Sequence, residues 1–291
     1  MKAHVRLGWL GIVLTAMVGS LEAQEMPPRE ARVTEMFNEV TYREARAELE
    51  RPAKVGDTVR GRDVVRTGDR SLAELEFDNR SVTRLGSRSI FTFEPETRAF
   101  HVRQGISLIS VPRGTGGGQI VTAAITAAIE GTTVIAEHFL VDGRRPGDPL
   151  RPAAKFIFLE GRGTVMTPDG RQQRRLRAGQ MILHALGDPL LAEPQEIDLD
   201  TLFKGTGLLQ RFGRPVPGQQ AIEQERDRQQ RELRRGLLEE GRFFLIGRGP
   251  RMGQRDPMLP VDVPVAVHDG AARDSGAMSS LSEQAPCPQC R

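Results

Sequence analysis

Lysine is scarce in this 291-residue chain. Of its 41 basic residues only Lys2, Lys54, Lys155 and Lys204 are lysines. The positive charge is therefore almost wholly arginine, a bias that reads as a GC-rich coding sequence rather than a site. Acidic residues nearly match it, and the formal net charge is only +3. So small a surplus gives no reason to expect a nucleic-acid partner. Histidine is scarcer: beyond His4 there are only His101, His138, His184 and His268. None stands in a catalytic motif, and neither Gly-x-Ser-x-Gly nor His-Glu-x-x-His occurs. A hydrolase needs a nucleophile, a base and an orienting group that converge. No such set is legible, so the expectation is a protein that is not an enzyme, with no catalytic, cofactor-binding or metal-ligating residue and no cofactor. Calcium would want a tighter cluster of Asp-x-Asp pairs than the sequence offers. Asp57, Asp63, Asp69 and Asp78 recur at turns, where the side chain bonds its own backbone. The glycine-rich stretch 113–118 lacks the Gly-Lys-Ser/Thr end of a phosphate-binding loop and reads as a connector.

Long apolar runs are also missing. The longest, residues 7–18, is about a dozen residues where roughly 20 are needed to cross a bilayer. Lys2 and Arg6 precede it and Leu21-Glu22-Ala23 follows, the pattern of a secretory signal peptide, 1–23, cut after Ala23. Retention as an anchor is the alternative. No cysteine follows the run to carry a lipid. The expected location is periplasmic or extracellular, with no transmembrane helix in the mature chain. The only two cysteines, Cys287 and Cys290, close the sequence as Cys-Pro-Gln-Cys. In an oxidising compartment a local disulfide between them is the plain expectation. The spacing also suits redox exchange or half a zinc site. A redox pair normally opens a helix, however, and zinc would need two more ligands, shared from a second tail.

What the sequence does have is alternation. Ala73, Leu75 and Phe77 face one way and Glu74 and Glu76 the other, as in a half-buried strand. Asp78-Asn79 turns it into 81–85. Residues 90–93 follow, with Phe91 and Phe93 on one face, then 100–103 and 106–111. Residues 120–137 are rich in Ala and Thr and β-branched at Ile125, Ile129, Thr132, Thr133, Val134 and Ile135; they read as strands, although the alanines admit a helix. Residues 144–152 contain three prolines and form an exposed insertion before 155–159 resumes the sheet. Short strands at this spacing argue for an all-β sandwich, barrel or solenoid over a parallel α/β sheet.

The landmarks run Val55-Gly56-Asp57, then 64–69, then 73–81, Val102-Arg103-Gln104-Gly105, Glu130-Gly131-Thr132-Thr133-Val134, Leu159-Glu160-Gly161 and Ala178-Gly179-Gln180. Their order and spacing resemble the FecR domain, whose rhythm is a "GD…T" strand pair, a "DGS" hairpin, an "L-x-x-G" strand, an "R-G-T-x-F" strand and a late "G-V" and "aGq" pair. Two positions depart from it. Asp78-Asn79-Arg80-Ser81 stands for Asp-Gly-Ser, and Asn tolerates the left-handed conformation of a tight hairpin. Ile129-Glu130-Gly131-Thr132 stands for Arg-Gly-Thr and reverses a charge.

The expected fold is all-β, a β-solenoid-like or sandwich-like stack of short strands followed by a C-terminal helical segment and a disordered tail; the solenoid choice is implied by the resemblance. The FecR-like β domain spans 32–186, a helical extension 187–246 and the tail 247–291. Within the extension, 200–212 reads as a short helix, 214–217 as a linker, and 219–240 as a long surface helix rich in opposite charges, such as Arg228 with Glu232. Its sparse apolar positions, Ile222, Leu233, Leu237 and Leu238, could dock a partner, but a solvated helix accounts for them. Low hydrophobicity and many Pro, Gly, Ser and Asp residues account for the tail.

The FecR resemblance implies an extracytoplasmic binding, scaffold or signalling module that recognises an envelope protein or cell-wall glycan; the sequence leaves the oligomeric state open. In the family the domain relays a signal from an outer-membrane transporter to an anti-sigma segment inside the cell. That layout, with a membrane-spanning helix and an anti-sigma region, is not seen in this sequence, so sigma regulation is not carried over. The alternative is capture of an anionic glycan or lipid by an arginine-rich strand. Arg175 and Arg177 share one face of that strand, Arg174 lies beside Leu176 on the other, and Arg162 is available nearby for bidentate contacts. A surface edge kept soluble by charge explains the same residues.

Overall fold

The computed structural model describes residues 28–235. The expected signal peptide, the last residues of the helix expected over 219–240, His268 and the expected tail with Cys287 and Cys290 lie outside the described residues. Seventeen strands precede three helices: β1 (Glu30–Phe37), β2 (Val40–Arg43), β3 (Arg51–Pro52), β4 (Thr58–Arg60), β5 (Val64–Thr67), β6 (Leu72–Phe77), β7 (Val82–Leu85), β8 (Ile90–Glu94), β9 (Ala99–Val111), β10 (Gly118–Val121), β11 (Thr126–Ile129), β12 (Thr132–Val141), β13 (Arg151–Glu160), β14 (Arg162–Met166), β15 (Gln173–Arg177), β16 (Gln180–Ala185), β17 (Gln195–Glu196), α1 (Leu199–Gly205), α2 (Gly207–Gln210) and α3 (Gln219–Arg234). The expected stack of short strands with a helical C-terminal segment is what forms. Residues 120–137 are strands, not helix, because their β-branched residues alternate into the core.

All the strands join through hydrogen bonds into one open sheet that folds over into two layers. One layer runs β4-β1-β6-β7-β9-β12-β13-β16-β17, and the other β3-β2-β5-β8-β9-β10-β11-β14-β15. Every ladder is antiparallel except β9 with β10. The chain changes layer after every one or two strands, so each rung has a strand in both.

β9 belongs to both layers. Its first half pairs with β8 and β10, and its second half with β7 and β12. The crossing falls at Gly105, where φ is +77° and a Cβ would lie 2.7 Å from both Arg88 O and Ser89 Cα. Only glycine fits so close an approach in the left-handed region.

Between the layers lies the main core. Ala73, Leu75 and Phe77 point into it as the alternation predicts, and so do Phe91 and Phe93. Phe77 meets Phe93 and Phe100 edge to face at 4.9 and 5.3 Å. A second core covers the other face of the first layer: Leu108, Ile135, Ile157 and Leu159 pack under Leu199, Leu202, Leu208, Val216 and Ile222 from the helical segment. The central strands are thus buried on both faces. This explains why Ile106 to Val111 and Phe156 to Leu159 read as nearly continuous apolar runs.

Three local expectations are corrected. The helix expected over 200–212 is two. Gly205-Thr206-Gly207 breaks it, with Asp198 capping α1 through the N–H groups of Asp200 and Thr201 at 2.9 and 3.2 Å, and Thr206 capping α2. α3 is not simply solvated, since Ile222 is buried and Gln229 reaches below it, accepting from Leu199 N at 3.0 Å and donating to Ile197 O at 2.8 Å. At the 78–81 hairpin the turn is kept, but Arg80, not Asn79, is left-handed (φ +66°), while the Asn79 side chain accepts from Ser81 N at 3.0 Å. A non-glycine residue held at such a φ stores backbone strain. Arg80→Gly is therefore expected to stabilise the chain by about 0.5–1 kcal/mol, read as a higher urea midpoint; a lower midpoint would show that Arg80 makes a contribution this geometry does not reveal.

The sheet edges are protected. β3 and β17 have two residues each, and the edge strand β15 carries three arginines.

Candidate functional site

A cleft among the described residues starts from a bulge. β12 and β13 pair in register until Val134 meets Phe158, after which Thr133 meets Glu160. The extra residue, Leu159, turns Glu160 onto the helix-covered face, beside Thr133 and Ser110. Ser110 and Thr133 hydroxyls are 2.8 Å apart, and Thr133 donates to Glu160 Oε1 at 3.1 Å. Gly218, just before α3, closes over the pair. A Cβ there would stand 2.2 Å from Glu160 Oε1 and 2.4 Å from Thr133 Oγ1.

From this floor a cleft of about 500 Å³ opens beneath α3, lined by Arg113, Glu160, Gly161, Ala178, Ala221 and Glu225 together with Arg228 and Arg231. Arg228 is committed, bonding Glu232 at 2.8 Å and also Glu225, and both carboxylates hold its guanidinium firmly in the charged form. Arg113 and Arg231 have no ion-pair partner among the described residues. Burial pushes the Glu160 carboxyl above its ordinary value, an effect that the Thr133 bond and the nearby Arg113 charge only partly oppose. Glu160 is 7% exposed.

The folded chain thus holds the Glu160 proton more tightly than the unfolded chain does. Its contribution is full below the ordinary carboxyl value of 4.5 and is lost as pH rises through the raised value. Glu160→Gln is expected to remove that loss, so the variant's melting temperature should exceed that of the parent at neutral pH and converge with it in acid. Equal differences at both pH values would refute the assignment.

The arginines singled out in the sequence do not converge. Arg162 on β14 stands directly opposite Arg177 on β15, Thr164 opposite Arg175, and Val165 opposite Arg174. Arg162, Arg175 and Arg177 therefore share the solvent face, and Arg174 lies on the face of the buried Leu176, as the alternation predicts. Arg174 is held by Glu193 at 2.8 Å and Arg177 by Glu196 at 2.6 Å. Both acids come from the segment after β16. Arg162 and Arg177 are chain neighbours of Gly161 and Ala178, which line the cleft. Reading the strand alone locates that lip but misses Glu160, Arg113, Arg228 and Arg231; the Leu159-Glu160-Gly161 landmark was the signal for the first.

The histidines are dispersed. His101 and His184 are each held below the ordinary histidine value by burial. His138 and His184 stand on either side of Ala154 on one sheet face, and His138 Nδ1 is 2.5 Å from Arg103 O. Asp188, the charge near His184, is bonded to Arg151 at 2.6 Å. Among the described residues no three potential metal ligands cluster. No helix among them is long and apolar enough to cross a membrane.

No family model and no curated protein matches the sequence. Among the solved structures similar to it are two crystal structures of a protein from Parabacteroides distasonis described as "a putative anti-sigma factor", at 1.65 and 2.50 Å resolution. Each shares 12% identity and a TM-score of 0.38, over 49% of this chain and 64% of the other. This chain thus spans less than two thirds of the length of that protein.

Proposed function

We propose that the chain is an exported, non-enzymatic FecR-like binding or scaffold module that recognises an envelope protein through the cleft beneath α3. The observation that carries this reading is the mixed sign of the cleft. Arg113 and Arg231 face it without partners among the described residues, while Glu225 and the buried Glu160 share its walls. A surface that mixes charges over small apolar residues matches a folded or extended polypeptide better than a uniform polyanion. The aspartates are accounted for by the fold: Asp63 accepts from Tyr42 Oη, Ala45 N and Arg60 N at 2.5, 2.8 and 2.8 Å, and Asp57 accepts from Lys54 N at 2.8 Å.

The alternative is electrostatic capture of an anionic glycan or lipid along β15, favoured by Arg162 and Arg175, which have no ion-pair partner among the described residues. Crosslinking the chain in its native envelope, then recovering it at low and high salt for mass spectrometry and glycan analysis, separates the two. One dominant envelope protein retained at high salt supports the protein-binding reading. Glycan or lipid alone, lost at high salt, overturns it in favour of the alternative.

A further inference from the structure

Resting on that protein-binding reading, we propose that the cleft is a carboxylate site, in which Glu160 shares a proton with a single carboxyl group offered by an acidic or C-terminal peptide segment of the partner. The geometry begins with the two oxygens of Glu160. Oε1 accepts the Thr133 hydroxyl at 3.1 Å and lies under Gly218. No hydrogen bond or ion pair from the described residues reaches Oε2, although the side chain lines a cleft open to solvent.

The groups that face Glu160 come from four elements. Ser110 on β9 and Thr133 on β12 form the hydroxyl ladder beneath it. Arg113, from the turn after β9, is the charge felt at Glu160, while Glu225, Arg228 and Arg231 line the cleft further along α3. Burial favours the neutral carboxyl. A neutral carboxyl has a proton to donate, and Arg113 beside it, with no ion-pair partner among the described residues, calls for negative charge. A ligand carboxylate answers both: its oxygen accepts the proton from Oε2 in a short charge-assisted bond, and the Arg113 guanidinium neutralises it. Where Glu160 is ionised beforehand, binding takes up one proton from solvent, so no other reactant is needed. Arg228 adds little, because Glu225 and Glu232 already hold it.

The same surroundings disfavour a polyanion. A glycan with a carboxylate on every sugar would press further negative charges against Glu225 and against Glu196, which pairs with Arg177 next to the cleft-lining Ala178. A peptide can present one carboxylate on an otherwise neutral main chain, and Gly161, Ala178 and Ala221 leave room for it.

The test uses the full chain, titrated with N-acetyl-trialanine carrying a free C-terminal carboxylate, with its C-terminal amide and with trigalacturonate, while the amide resonances of Gly161 and Ala178 are followed across a pH series. The free acid should shift both resonances saturably and the amide should not. Affinity should fall about tenfold per pH unit once Glu160 is ionised. Glu160→Gln keeps an oxygen for Thr133 and supplies an N–H, so it should bind at least as tightly, without the pH slope. Arg113→Ala should lose about tenfold or more. Indistinguishable acid and amide, a pH slope that survives Glu160→Gln, or tighter binding of trigalacturonate than of the peptide would each overturn the site. Capture of the same envelope protein by the parent and by Arg113→Ala would overturn the carboxylate site and leave the protein-binding reading standing; peptide binding without any captured protein would do the reverse.

Discussion

Arg84→Met is expected to lower the unfolding free energy by about 3–5 kcal/mol, the usual cost of removing one partner of a buried ion pair. Arg84 is fully buried and Glu74 is 2% exposed. Its Nε lies 2.8 Å from Glu74 Oε2, Nη1 donates to Leu208 O at 2.9 Å, and Nη2 donates to Arg214 O. The guanidinium also sits 4.5 Å over the Phe212 ring, which meets Phe37 edge to face at 5.9 Å. One side chain on β7 therefore ties down the 208–214 segment, more than 120 residues further along the chain. Methionine fills much of the volume but leaves Glu74 charged in a dry site and strips two carbonyls of their donor. Thr34 at 2.7 Å and Arg214 at 3.3 Å still reach Glu74 Oε1, which argues for the lower half of that range. The measurement is the urea midpoint at constant m-value. The R84M/E74L double variant should recover most of the loss, because an apolar pair leaves no stranded charge. A single variant as stable as the parent would mean that the segment is held by something other than this guanidinium.

Gly105→Ala should cost about 2–4 kcal/mol, the sum of a left-handed alanine and of overpacking against immovable backbone. The matched control is Gly170→Ala. Gly170 also has positive φ (+69°), yet a Cβ there meets nothing within 4 Å. That variant should lose only about 1 kcal/mol. Should both substitutions cost the same in parallel urea melts, the close approach at the layer crossing is not what constrains position 105.

Much of the architecture was legible because alternation is a local signal. Ala73, Leu75 and Phe77 point where the sequence places them, and so do Arg174 and Arg175 on opposite faces of β15. What was not legible depends on segments far apart in the chain. Glu74 stands on the polar face of β6 as expected, but the 208–214 segment returns to cover that face, so a residue that reads as solvated is buried against Arg84. Glu193 and Glu196, which engage Arg174 and Arg177, follow the strand they neutralise by some 20 residues and carry no periodic link to it. The cleft was hidden for two reasons. A single-residue bulge at Leu159 reverses the face of Glu160, and the other wall is a helix whose charges read as ordinary solvated pairs. The residue that takes the left-handed position in the 78–81 hairpin depended on how the Asn79 side chain spent its acceptor, which composition does not specify.

The passage of β9 through both layers bears on how this fold comes apart. In a sandwich whose layers share only side-chain contacts, one sheet can loosen while the other persists. Here the two halves of one thirteen-residue strand anchor four different neighbours, two in each layer. Releasing either layer strips hydrogen bonds from the same strand that supports the other. The two layers are therefore expected to open as one cooperative unit, and amides such as those of Val102 and Leu108, on opposite sides of Gly105, should exchange with solvent through a common opening whose free energy is that of the whole domain.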